Sequence, residues 1–123
     1  MDQKYSILYI DDEPLNVMLF EINFRKSYKV ITAQSGYEGL EKLNTNKDIR
    51  IVLTDMKMPG MNGVEFISEA KKDFPDLTYF ILTGYDIIHE IAEALQSNMV
   101  KKYFCKPFNV PEIKKAIEDV LVK

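Results

Sequence analysis

Five polar residues in this sequence could do chemistry together: Asp11, Asp12, Asp55, Thr83 and Lys106. Each follows directly on a short apolar run: Tyr5–Ile10 before the two aspartates, Ile51–Thr54 before Asp55, Thr78–Leu82 before Thr83, and Lys102–Cys105 before Lys106. Carboxylates crowded at one edge repel each other, and without a partner they hold their protons more tightly than usual. A hard cation resolves that conflict, and Mg²⁺ takes carboxylates, a carbonyl and waters in an octahedron. Asp12 and Asp55 are the expected side-chain ligands, with Asp11 in support through water. Lys106 brings an ammonium and Thr83 a hydroxyl. A divalent cation, an ammonium and a hydroxyl are the parts that stabilise a transferring phosphoryl group. A carboxylate among them can act as nucleophile and form an acyl phosphate. Gly84 has no side chain to obstruct a phosphodonor.

These residues can cooperate only if the chain carries all four run ends to one edge. The run at Ile51–Thr54 reads as a strand covered on both faces, as in a parallel sheet. It ends on Asp55, and Met58-Pro59-Gly60-Met61-Asn62-Gly63 cannot continue it, because proline lacks a donor and two glycines relax the backbone. Tyr5–Ile10 is the first strand. Pro14 suits the first turn of a helix, and Leu15, Met18, Leu19, Ile22 and Phe24 recur near helical spacing to about Lys26, marking its expected core side. Tyr28–Ala33 is the second strand. Ser35 with Glu38 opens the next helix, with Leu40 and Leu43 inward and an end near Asn46. Asn62 with Glu65 caps a third, carrying Val64, Phe66, Ile67 and Ala70 and ending at Phe74-Pro75-Asp76. Thr78–Leu82 is the fourth strand. Asp86 is the expected cap of a fourth helix with Ile87, Ile88, Ile91, Ala92 and Leu95 buried. Lys102–Cys105 is the fifth strand. Asn109 and Glu112 cap a last amphipathic helix with Ile113, Ala116, Ile117, Val120 and Leu121 inward.

Five strands alternating with five helices predict an α/β fold, a parallel sheet with right-handed crossovers and helices on both faces. The flavodoxin-like strand order 2-1-3-4-5 is expected, a (βα)5 three-layer sandwich. It sets the first and third strands side by side and brings Asp11, Asp12, Asp55, Thr83 and Lys106 to the carboxyl edge of the sheet, where open α/β sheets bind ligands.

The bulk properties agree. The chain has 123 residues, 46% hydrophobic and 28% charged, the size and balance of one globular domain. A net charge of −3 supplies no general attraction to nucleic acid or anionic membranes. No apolar run approaches the roughly 20 residues of a membrane span, and Met1-Asp2-Gln3-Lys4 has no signal-peptide pattern. The single cysteine, Cys105, excludes an internal disulfide and CxxC metal sites. A cytoplasmic location is expected.

The constellation resembles the CheY-like receiver domain of two-component response regulators. It does so along the whole chain, residues 1–123, read as a single domain: Asp11-Asp12 after the first strand, Asp55 followed by Met58-Pro59 and Asn62-Gly63, Thr83 ending the fourth strand, and Lys106-Pro107 after the fifth. The resemblance implies that Asp55 accepts phosphate from a histidine kinase or phosphotransfer protein. It implies Mg²⁺ held by Asp12, Asp55 and the Lys57 backbone carbonyl, and a cis Lys106–Pro107 peptide bond. Tyr103 falls on the family's switch aromatic. Such a protein catalyses only its own phosphorylation and dephosphorylation. Its output is expected through the fourth helix, fifth strand and fifth helix, toward an output domain, a partner or a second copy. Lys57 and Tyr85 are expected to flank the approach of a hydrolytic water.

Taken singly, each residue has a plainer reading. Lys106 alone would be a solvated strand-end lysine, Thr83 a β-branched strand residue, and Tyr103 a packed sheet aromatic. His89 is expected on the surface, Cys105 as a small core hydrophobe. Three alternatives stand beside the receiver. A flavodoxin-type module needs a Ser/Thr/Gly-rich phosphate loop where this chain has Asp11-Asp12-Glu13. A haloacid-dehalogenase-like, Mg²⁺-dependent phosphatase needs an Asp-x-Asp pattern ending the first strand. A non-phosphorylated scaffold of receiver shape would not need the complete polar set.

Overall fold

The computed structural model describes residues 4–84, 89–107 and 109–121. Strands β1 (Ser6–Ile10), β2 (Lys29–Ala33), β3 (Ile49–Asp55), β4 (Thr78–Thr83) and β5 (Lys102–Cys105) alternate with helices α1 (Pro14–Phe24), α2 (Gly36–Thr45), α3 (Gly63–Asp73), α4 (His89–Gln96) and α5 (Val110–Leu121). The strands form one parallel sheet in the order β2-β1-β3-β4-β5. The fold is the flavodoxin-like arrangement expected from the alternation of elements.

Side-chain alternation along each strand splits the core into two layers. On one face Leu8, Ile10, Val52, Tyr79 and Ile81 pack with Leu43, Phe66, Ile67, Ile91 and Ala94 from α2, α3 and α4. On the other, Ile7, Tyr9, Ile51, Leu53, Phe80, Leu82 and Phe104 pack with Val17, Phe20 and Phe24 of α1 and Ile113, Ile117 and Leu121 of α5. Residues 51–56 are all buried because β3 is central and covered on both sides.

Capping decides where the helices start. The Ser35 hydroxyl accepts from the Glu38 amide at 3.0 Å. Asn62 and Glu65 form a complete capping box at the start of α3, which ends the loop carrying Met58 and Pro59 at a fixed residue. Asn109 accepts from the Glu112 amide at 3.0 Å. The expected cap Asp86, with Ile87, Ile88 and Tyr85, lies outside the described residues.

Two expectations are corrected. The stripe Leu15, Met18, Leu19 and Ile22 does not face the core: these side chains are 54%, 50%, 40% and 49% exposed. Of the expected stripe Phe24 is buried, and it is joined in the core by Val17 and Phe20 from the other side of the helix. Helix α1 is apolar on both sides, so periodicity could not choose between them. The aromatic side wins because it completes a stack: Tyr9 lies on Phe20 with ring centroids 4.1 Å apart and 2° between planes, and Phe20 on Phe24 at 4.2 Å. Cys105 is exposed, not a core hydrophobe. As the last residue of an edge strand it has a sheet neighbour on one side only. His89 is exposed as expected.

Candidate functional site

The chain leaves β1 toward one face of the sheet and β3 toward the other, which opens a crevice at their carboxyl ends. Asp11 and Asp12 enter it from the β1–α1 loop and Asp55 from the last position of β3. One carboxylate oxygen from each of the three lies within 4.8 Å of the others. Asp12 is exposed, Asp55 nearly buried and Asp11 completely buried.

Thr83 ends β4, the next strand over, and is buried. The Lys106 amide donates to the Thr83 carbonyl at 2.8 Å, tying the loop after β5 to the end of β4. The Lys106–Pro107 peptide bond is cis. From there the Lys106 ammonium reaches back across two strands, to 2.7 Å from Asp11 Oδ2 and 3.4 Å from Asp55 Oδ1. Topology thus brings together all five residues that the sequence singled out. Lys57, two residues past Asp55, sits exposed in the loop that follows. Tyr103 is half-buried and pairs with Ile81 in the sheet.

The two buried carboxylates are held differently. Asp55 Oδ1 accepts from the Met56 amide at 2.9 Å. Burial pushes the Asp55 carboxyl up to about 6; the Lys106 ammonium opposes this and the Asp11 charge adds to it. Asp11 accepts from three donors: Oδ2 from the Tyr9 hydroxyl at 2.6 Å and from Lys106 at 2.7 Å, and Oδ1 from the Glu13 amide at 3.0 Å. Burial, and then the hydrogen bond to Asp11, raise the Tyr9 hydroxyl far above its ordinary range, so it stays a donor.

Tyr9 is the site residue that sequence reasoning missed, having read it only as part of an apolar strand. Its signal was nonetheless present. Residues i and i+2 of a strand share a face, and a tyrosine buried in a central strand must find an acceptor for its hydroxyl.

The donor set fits a hard cation: oxygen ligands only, clustered tightly, with one carboxyl held up by burial and by a neighbouring charge. The Lys106 ammonium offsets part of the charge of the three aspartates.

The sequence pattern of the response regulator receiver domain matches residues 7–118, and the chain belongs to that family. It is a module of two-component signal transduction, a class that binds Mg²⁺ at its acidic pocket and signals rather than turning over a substrate. Among its relatives, the transcriptional regulatory protein YesN of Bacillus subtilis is 32% identical over 97% of this chain, which spans only 33% of that protein. Sporulation initiation phosphotransferase F of the same species is 30% identical, over 98% of this chain and 95% of the relative. Among solved structures, the response regulator TrrA of Thermotoga maritima in complex with Mg²⁺ and beryllofluoride superposes with a TM-score of 0.80. It is 30% identical, covering 93% of this chain and 96% of that one. Among the described residues no helix is long and apolar enough to cross a membrane.

Proposed function

We propose that residues 1–123 act as one receiver unit in which Asp55 accepts a phosphoryl group from a histidine kinase or phosphotransfer protein. The observation that carries this reading is the placement of the Asp55 carboxylate, at the end of the central strand with Lys106 Nζ 3.4 Å away and two further aspartates within 4.8 Å. Asp12, Asp55 and the Lys57 carbonyl would hold Mg²⁺, with Asp11 in support, and the ion supplies charge neutralisation at the phosphoryl oxygens. An ionised Asp55 oxygen forms the O–P bond as the P–N bond to the donor imidazole breaks. The imidazole nitrogen keeps the bonding pair and takes up a proton. Lys106 meets the charge on the phosphoryl oxygens, and the Thr83 hydroxyl, one strand over, is drawn to them.

Movement of Thr83 alters the end of β4 and the space beneath α4, which Tyr103 is placed to fill. The face of α4, β5 and α5 then changes toward an output domain, a partner or a second copy. A cytoplasmic setting suits such a module. The phosphatase alternative is disfavoured because β1 ends in Asp11-Asp12-Glu13, without the Asp-x-Asp pattern that such an enzyme needs.

The test is incubation with acetyl phosphate and Mg²⁺, beside an Asp55→Asn protein. Incorporation of phosphate in wild type alone is expected, and equal incorporation in both sinks the assignment.

A further inference from the structure

Tyr9 is buried, sits one residue before the end of β1, and ends on a carboxylate that the Lys106 ammonium also holds. A tyrosine that merely filled the core could direct its hydroxyl to any carbonyl. Here the hydroxyl shares Asp11 Oδ2 with the Lys106 ammonium, at 2.6 Å against 2.7 Å. Its ring cannot turn away, because it lies flat on Phe20, which lies in turn on Phe24.

The arrangement bears on what Lys106 must do. Its ammonium is closer to Asp11, at 2.7 Å, than to Asp55, at 3.4 Å. To meet charge on a phosphoryl group carried by Asp55 it has to loosen from Asp11. A fully buried carboxylate stripped of its partner is strongly destabilised. Asp11, however, keeps two donors, the Tyr9 hydroxyl and the Glu13 amide. A short hydrogen bond to an ionised acceptor is of the strong kind. It strengthens when the second donor on the same oxygen leaves, because both draw on the same negative charge.

We propose that Tyr9 is a positioning residue for Asp11 and Lys106: its hydroxyl holds the Asp11 carboxylate satisfied while the Lys106 ammonium moves to the phosphoryl oxygens on Asp55. The proposal rests on the phosphoacceptor reading of Asp55 and adds a role for a residue outside the polar set. The Tyr9 hydroxyl acts through the Asp11 carboxylate. Its effect is on how readily Lys106 is released.

Tyr9→Phe keeps the stacked ring and removes only the hydroxyl. Four quantities are compared with wild type: thermal stability, Mg²⁺ affinity, beryllofluoride affinity at saturating Mg²⁺, and the rate of phosphorylation by acetyl phosphate. The variant is expected to bind Mg²⁺ as well as wild type or better, since Asp11 loses a donor that draws on its charge. Beryllofluoride affinity and phosphorylation rate are expected to drop about fivefold to tenfold. In a Lys106→Ala background the same Tyr9 substitution is expected to change neither. Wild-type beryllofluoride affinity in Tyr9→Phe overturns the proposal, as does an equal loss in both backgrounds. A measurement on the unmutated protein guards against a misfolded variant. The Tyr9 hydroxyl proton should move downfield in NMR spectra when Mg²⁺ and beryllofluoride are added, and an upfield move or no change overturns the proposal. A wild-type protein that takes up neither phosphate nor beryllofluoride instead removes the underlying reading of Asp55.

Discussion

Gly63 packs so tightly against Asp55 that a Cβ added to it would stand 2.5 Å from the Asp55 carbonyl oxygen and 3.1 Å from the Met56 Cα. The Gly63 amide donates to the Met56 carbonyl at 2.8 Å, so the first residue of α3 is bonded to the backbone that carries Asp55. The atoms that a new methyl would meet, the Asp55 carbonyl carbon at 3.3 Å included, are main chain and cannot rotate aside.

Gly63→Ala is therefore expected to lower stability by about 1–3 kcal/mol, the range for overpacking a tight site. It should also slow phosphorylation by shifting Asp55. Chemical denaturation and an acetyl phosphate assay measure the two. An alanine protein as stable and as reactive as wild type would show that the loop yields easily.

The raised Asp55 carboxyl makes a pH prediction for the metal-free protein. With its folded value at about 6 against an ordinary 3.8, Asp55 binds its proton more tightly folded than unfolded. Between those values the folded state holds the extra proton, so the Asp55 contribution to stability falls as pH rises through that window and levels off above about 6. Asp55→Asn should remove this component of the slope and be more stable than wild type at neutral pH in EDTA. Denaturation midpoints across pH decide it, and parallel curves for the two proteins count against the assignment. Phosphorylation at limiting Mg²⁺ should decline below the same pH, since the nucleophile is the ionised form.

Asp11 and Asp12 are neighbours with opposite burial, and their substitutions should separate. Asp12→Ala removes the exposed carboxylate proposed as a ligand: Mg²⁺ affinity should drop at least about tenfold, with stability nearly unchanged. Asp11→Ala leaves the buried Tyr9 hydroxyl without its acceptor and should lower stability by about 1–3 kcal/mol. Its effect on Mg²⁺ affinity should be the smaller. Mg²⁺ titration and thermal unfolding of both proteins provide the check; unchanged Mg²⁺ affinity in Asp12→Ala rules out its ligand role.

The two sides of α1 give a further contrast. Phe20→Ala empties the aromatic stack beneath the sheet and should cost about 3–5 kcal/mol. Ile22→Ala, on the exposed stripe, should stay within about 0.5 kcal/mol of wild type. Equal losses would mean that the exposed stripe is covered in solution.

Thr83→Ala should still accept phosphate at Asp55 yet fail to reorganise the face of α4, β5 and α5. Without the hydroxyl, the charge on Asp55 has no hold on the end of β4. NMR spectra with beryllofluoride test this. A full wild-type shift pattern around Tyr103 and α4 in the alanine protein would break the proposed coupling.

Much of this molecule is legible in one dimension, and the reason is that its site is built from strand ends. A parallel sheet requires each strand to finish at the same edge, so a carboxylate, hydroxyl or lysine that terminates an apolar run has its location decided by the run itself. Asp11, Asp12, Asp55, Thr83 and Lys106 were placed on that ground, and the caps at Ser35, Asn62 and Asn109 bounded the helices between them. What periodicity could not decide was a choice between equals. Helix α1 carries two apolar stripes, and only the stack of Tyr9, Phe20 and Phe24 across separate elements selects the buried one. Likewise Cys105 is apolar enough for a core, and its position at the end of an edge strand leaves it exposed. The bond from Tyr9 to Asp11, the sharing of Lys106 between two aspartates and the pressure of Gly63 on Asp55 depend on separations of 2.5 to 3.4 Å. Those distances are set by how the layers pack, and they exist only once the chain is folded.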